Sequence, residues 1–198
     1  MTDKERFVDL YNQHIKRDGA DKLLEWLQGD KCDFFEAPAS TQYHLNVAGG
    51  LCKHSLHVFD RLWKLWHEEY GESTLAQRET LAIVALLHDL CKTNFYKLGS
   101  RNVKDENGRW KTVPMYTIED SLCYGHGEGS VYIISAFMRL SREESMSIRW
   151  HMGGFDDAVR GGSRALSGAM EKYQLVTLIH IADMMASYLD EVEENENV

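Results

Sequence analysis

The sequence predicts an all-α fold, a helical bundle carrying one small inserted β-hairpin near residues 101–118. Three observations predict it. Prolines number two in 198 residues, and proline is the residue that most often interrupts helices. Apolar residues recur at intervals of three and four through most of the chain, the spacing of one helix face. One stretch, RNVKDENGRWKTVPMYTI, instead alternates about Asn107-Gly108, a dipeptide that favours the positive φ angles of a hairpin turn.

Each element follows in order. Phe7, Leu10, Tyr11 and Ile15, then Leu23, Leu24, Trp26 and Leu27, fit two short amphipathic helices broken near Asp18-Gly19. Turn formers run through Pro38, Ser40 and Asn46 to Gly49-Gly50. A long helix is expected from there to Gly71, with Trp63 and Trp66 suited to core or interface. Residues 75–91, LAQRETLAIVALLHDLC, form the most apolar helix and end on His88-Asp89. After the hairpin, 127–139, 141–151 and 171–191 return to helical spacing. With 43% hydrophobic residues and no linker or repeat, residues 1–198 read as one domain. Residues 190–198 form a short acidic tail, of which the final ENENV is expected to be frayed and solvated.

The net charge of −9 disfavours a partner such as a long nucleic-acid duplex. No apolar run is long enough for a membrane span, and MTDKERFVDL places charge where a signal peptide would be apolar. The expectation is a cytoplasmic protein. Four scattered cysteines, Cys32, Cys52, Cys91 and Cys123, make no Cys-x-x-Cys pair, whereas histidines number nine. Any metal should therefore be held by imidazole and carboxylate.

Two polar residues ending so apolar a helix are costly to bury unpaired, although a solvated helix end is a simpler account of His88-Asp89. His54 stands on the helix before, His126 opens the next, His151 closes the one after, and Asp183 lies on the last. Helices packed in a bundle can bring such groups into one internal site. The order His54, His88-Asp89, His126, His151, Asp183, with GGLCKHSLHV, LLHDLCK and HIADMMAS around three of its members, resembles the HD-domain superfamily of metal-dependent phosphohydrolases.

The resemblance implies that His54, His88, Asp89 and Asp183 hold one divalent transition metal. It implies that His126 and His151 add a second ion, with Asp89 bridging the two. Fe, Mn, Co, Ni and Zn all suit such ligands. A water between the ions would be the nucleophile toward a phosphate ester. Lys92, matching the lysine of the family's HDxxK pattern, would neutralise developing charge, so Asp89 and Lys92 are the expected catalytic residues. The implied partner is a small anionic phosphorylated substrate, a nucleotide or a short oligonucleotide end. RWHMGGFDD lacks the GYP motif and second histidine of the cyclic-dinucleotide branch. The same ligand order also resembles di-iron HD oxygenases, and a metal-stabilised binding domain without catalysis is a third reading.

Substrate contacts are expected from the basic stretch 92–111, which carries six basic and two acidic residues. Lys97 and Arg101 would form a flap over the anion, although a solvated hairpin fits these charges equally well. Arg149, with Arg160 and Arg164 around the glycine-rich 153–163 loop, is a second candidate. His57 and His180, each three residues before or after a ligand position, are expected beside the site, and His44 is a candidate substrate contact. Glu128 in GHGEGS is expected as a first-turn acid.

Overall fold

The computed structural model describes residues 1–41 and 45–192; His44 and the end of the acidic tail lie outside them. Among the described residues there are nine α-helices and a two-stranded antiparallel sheet. Helices α1 (Asp3–His14) and α2 (Ala20–Gln28) replace the two expected amphipathic segments. The break between them is Gly19, whose φ of +90° suits glycine and whose missing side chain leaves room for the carbonyl of Phe137.

The next two helices make the centre of the bundle. Helix α3 (Gly50–Tyr70) starts after Gly49, at φ +79°. Helix α4 (Leu75–Leu87) starts with a capping box: Thr74 Oγ1 accepts from the Gln77 amide, and the Gln77 side chain accepts from Thr74. Every residue from Leu81 to Leu87 is buried. That side chains on all faces are enclosed places α4 inside the bundle, packed on α1, α3 and α6.

Helix α4 stops at Leu87, earlier than the periodicity suggests, and His88-Asp89 lies in the turn that follows. Asp89 has φ −102° and ψ 19°, a sparsely populated region common at functional sites. A 3-10 turn over Leu90–Lys92 leads into the hairpin. Strand β1 (Tyr96–Lys104) pairs with β2 (Trp110–Ile118), Arg101 opposite Val113. The hairpin starts five residues before the expected 101. Asp105 closes its turn by accepting from the Asn107 and Arg109 amides, with Gly108 at φ +75°.

Helices α5 (His126–Ser135) and α6 (Arg142–Arg149) pack closely, because a Cβ on Gly127 would lie 2.2 Å from the Arg149 carbonyl oxygen. Buried Glu144 locks α6 to the amino-terminal helices. Its two oxygens each accept from Arg17 at 2.7 Å, and Thr80 adds a bond at 2.8 Å. The glycine-rich loop holds a short helix α7 (Asp157–Arg160). The expected 171–191 helix is divided into α8 (Ala165–Lys172), α9 (Gln174–Met185) and a wider π-helical turn, Ala186–Asp190. Helix α9 lies against α3. Trp63 and Trp66 are partly buried against the core. No helix of the described residues is long and apolar enough to cross a membrane.

Candidate metal centre

The helix ends decide where the polar groups meet. His88 follows the last residue of α4, and His151 follows Trp150 at the end of α6. At a helix end the last carbonyls have no amide partner. Each of these histidines uses one: His88 Nδ1 donates to the Ala85 carbonyl at 2.8 Å, and His151 Nδ1 to the Ile148 carbonyl at 2.7 Å. That fixes the tautomer and leaves a bare lone pair on each Nε2. Both rings are fully buried, and neither Nε2 has a hydrogen-bond partner.

Those lone pairs converge on Asp89. His88 Nε2 lies 3.6 Å from Asp89 Oδ2, and His151 Nε2 lies 3.3 Å from Oδ1. His126, at the start of α5, places Nε2 2.7 Å from Oδ1. His54 Nε2 lies 3.7 Å from Asp89 Oδ2 and 3.2 Å from Asp183 Oδ1. The four imidazoles form a row, with neighbouring ring centres 5.3, 4.8 and 5.2 Å apart in the order His54, His88, His151, His126. Candidate ligand atoms of His54, His88 and Asp183 lie within 4.8 Å of one another, as do those of His88, Asp89 and His151 and those of Asp89, Cys91 and His126, so one thiol joins the imidazoles and carboxylates expected. All six residues picked from the sequence order therefore lie in one cluster.

The electrostatics suit His88 and the two carboxylates as donors, whereas at His126 burial is outweighed by Cys91 and Asp89, which lift it to about 10. Burial pushes His88 down to about 3, so it is the neutral imidazole that a cation requires. Burial would raise both carboxyls, but Lys92, His88 and His126 outweigh it at Asp89, and His54 does so at Asp183, so both stay below the usual carboxylate range. Burial also opposes charge on His54, yet bonds from Asp183 and Glu191 lift it to about 10. Two buried lone pairs without a partner beside two ionised carboxylates are an arrangement that a divalent cation completes. The residues present fit a metal held by imidazole and carboxylate, with the Cys91 thiol beside His126.

Above the cluster opens a cavity of about 520 Å³, lined by His54, Asp89, His126 and Asp183 and also by Lys92, Tyr96, Phe155, Arg160, His180 and Tyr188. This is a size suited to a small ligand. Lys92 lines the cavity, but its Nζ is held by Asp89 Oδ2 at 2.6 Å. Its charge is thus directed first at the carboxylate. His180 Nδ1 donates to the His151 carbonyl at 2.8 Å and ties α9 to the end of α6.

The expected substrate contacts fare differently. Lys97 is exposed and pairs with Glu119 at the hairpin base. Arg101 borders a separate cleft with Thr41, Asn46 and Tyr116. Arg149 pairs with Glu128 and, at 2.6 Å, with Asp156, and stacks on Trp150. None of the three lines the cavity: Lys97 and Arg101 lie at exposed positions of β1, and Arg149 is occupied by two carboxylates. Arg160 does line it, near the Phe155 ring and without an ion-pair partner among the described residues. Glu128, read as a simple first-turn acid, also serves as the Arg149 partner.

Glu191 is the residue that sequence reasoning missed. It stands at the start of the acidic tail, where no site role was expected, and it is fully buried, with Oε1 3.0 Å from His54 Nδ1 and 2.9 Å from His57 Nδ1. Asp190 beside it pairs with Arg61. The tail is tied down as far as Glu191. Compared with protein-family models, curated proteins and solved structures, the chain matches none.

Proposed function

We propose that the chain is a metal-dependent phosphohydrolase of the HD-domain kind, cleaving a phosphate ester of a small anionic substrate of nucleotide size. One observation carries the reading. Four imidazoles and two carboxylates, drawn from five separate parts of the chain, meet beneath a cavity that also presents cationic Lys92 and Arg160. A structural role alone gives no reason to leave two buried imidazole lone pairs without partners there.

His54, His88, Asp89 and Asp183 would hold one ion, and His126 and His151 with Asp89 a second. Ions so held supply positive charge that polarises a phosphoryl oxygen and makes water more acidic. The chain's own groups do the rest. Asp89 offers two carboxylate oxygens on opposite sides, Oδ1 toward His126 and His151 and Oδ2 toward His54 and His88. Lys92 keeps Asp89 ionised and fixed, and its ammonium faces the cavity as part of its wall. Arg160, with no carboxylate to satisfy, is placed to bind phosphate, while Phe155 and Tyr188 give apolar surface to the remainder of the substrate.

The test is phosphate release from a panel of nucleotides, short oligonucleotides and simple phosphate esters, with Mn²⁺ and without oxygen. The expected result is metal-dependent release that Asp89→Asn removes while circular dichroism shows a folded chain. Release by metal-free protein, or full activity in Asp89→Asn, would overturn the reading. Oxygen uptake with no phosphate release would favour the oxygenase alternative.

A further inference from the structure

We infer that Glu191 is a positioning residue of the metal centre, aiming His54 Nε2 at the ion by accepting the Nδ1 proton. The inference rests on the metal reading above. It begins from an asymmetry among the histidines. His88 and His151 stand at helix ends, where the carbonyl three residues earlier is free to take Nδ1–H. His54 is the fifth residue of α3, where the nearby carbonyls are committed to the helix ladder, and the Leu51 carbonyl also takes the Ser55 hydroxyl. A partner for His54 Nδ1 must therefore come from elsewhere in the chain. It comes from 137 residues away, as a carboxylate with both oxygens in reach, at 3.0 and 3.3 Å.

The π-helical turn explains how Glu191 gets there. In an unbroken α-helix, Glu191 would lie roughly 80° around the axis from Asp183. The wider turn at Ala186–Asp190 has more residues per turn, closing with the Glu191 amide on the Ala186 carbonyl, and swings Glu191 back toward the Asp183 face. Asp183 and Glu191 then grip one imidazole from its two sides, at Nε2 and Nδ1. His57 donates to the same Oε1, so two successive turns of α3 hold the carboxylate itself, while Arg61 on the next turn holds the neighbouring Asp190. A carboxylate behind a ligand histidine fixes the ring and makes it a stronger donor, and its loss costs about 10–100-fold in metal affinity.

The experiment is a titration of the metal-stripped full chain with Co²⁺ alone, against a chromophoric chelator, beside thermal unfolding of the same samples. Glu191→Ala is expected to weaken binding at the His54 half of the centre about 10–100-fold. Glu191→Gln, which keeps an acceptor but loses the charge, should fall between Glu191→Ala and the wild type. Arg61→Ala, which loosens the same segment and leaves the carboxylate, should bind Co²⁺ as the wild type does. Wild-type affinity in Glu191→Ala would overturn the inference, as it would in Glu191→Gln should the alanine variant not fold. A loss in Arg61→Ala equal to that in Glu191→Ala would overturn it too, by assigning the effect to anchoring. A wild type that takes up no metal would instead overturn the metal reading itself.

Discussion

A methyl group added at Gly127 should do what the same methyl group at Gly168 does not. Both glycines are helical, Gly127 in the first turn of α5 and Gly168 in the middle of α8. A Cβ on Gly168 meets nothing within 4 Å. Gly168→Ala therefore only removes the conformational freedom that glycine gives the unfolded chain, and should stabilise by about 0.5–1 kcal/mol. A Cβ on Gly127 would fall 2.2 Å from the Arg149 carbonyl oxygen and 2.7 Å from its carbon. These are backbone atoms and cannot rotate away, so α5 must withdraw by roughly 1 Å to regain ordinary contact. Such overpacking costs about 1–3 kcal/mol. His126 precedes Gly127 and would move with it, opening the 2.7 Å approach to Asp89. Thermal unfolding reads the first effect, at roughly 2–4 °C per kcal/mol for a chain of this size. Titration with Mn²⁺ reads the second, as weaker binding of one of two ions. Equal melting temperatures for the two variants, or an undisturbed second ion in Gly127→Ala, would refute the close-approach argument.

Arg160→Ala should raise KM for any active phosphate ester about tenfold with kcat little changed, while Lys97→Ala and Arg101→Ala leave both unchanged, since neither lines the cavity. Steady-state kinetics decide this, and a larger effect at Lys97 would restore the flap. Glu144 should make stability acid-sensitive. Burial opposes its charge, but Arg17, the Ser141 amide and Thr80 outweigh it and hold its pKa below the usual value. A folded pKa below the unfolded one gives stability that is present above the unfolded value, about 4.3, and is lost as pH falls below it through the folded value. Glu144→Gln should thus lose about 1.5–3 kcal/mol at neutral pH and show a flatter acid limb in urea unfolding. Removing metal with a chelator should lower the melting temperature, because binding to the folded state alone adds about 2.7 kcal/mol at a hundredfold excess over Kd. An unchanged melting curve would deny any coupling of a metal to the fold.

The helices were legible in the sequence for local reasons. Gly19, Gly49 and Gly71 stand at or beside helix boundaries, and Asn107-Gly108 marks the hairpin turn, because positive φ is a property of single residues. The six polar positions could be picked because their order resembles that of the HD-domain superfamily, and His88-Asp89 also ends the most apolar helix, where burial needs a partner. What escaped depends on contacts between distant segments. Arg149 looks like a free cation in the sequence, and only the fold brings Glu128 and Asp156 to it. Arg160 stood out less than the lysines of the hairpin, yet it lines the cavity and they do not. Glu191 was hidden by the ordinary helical period itself. The π-helical turn changes that period over a few residues, and no composition rule marks it.

In the proposed function, His54, His88, Asp89, His126, His151 and Asp183 would hold two ions. The most direct measurement is metal per chain by elemental analysis after equilibrium dialysis against Mn²⁺, for the wild type and for a His126→Ala, His151→Ala double variant confirmed to be folded. Two ions per chain are expected in the wild type and one in the double variant. A wild type that retains none, or a double variant that still retains two, would contradict it.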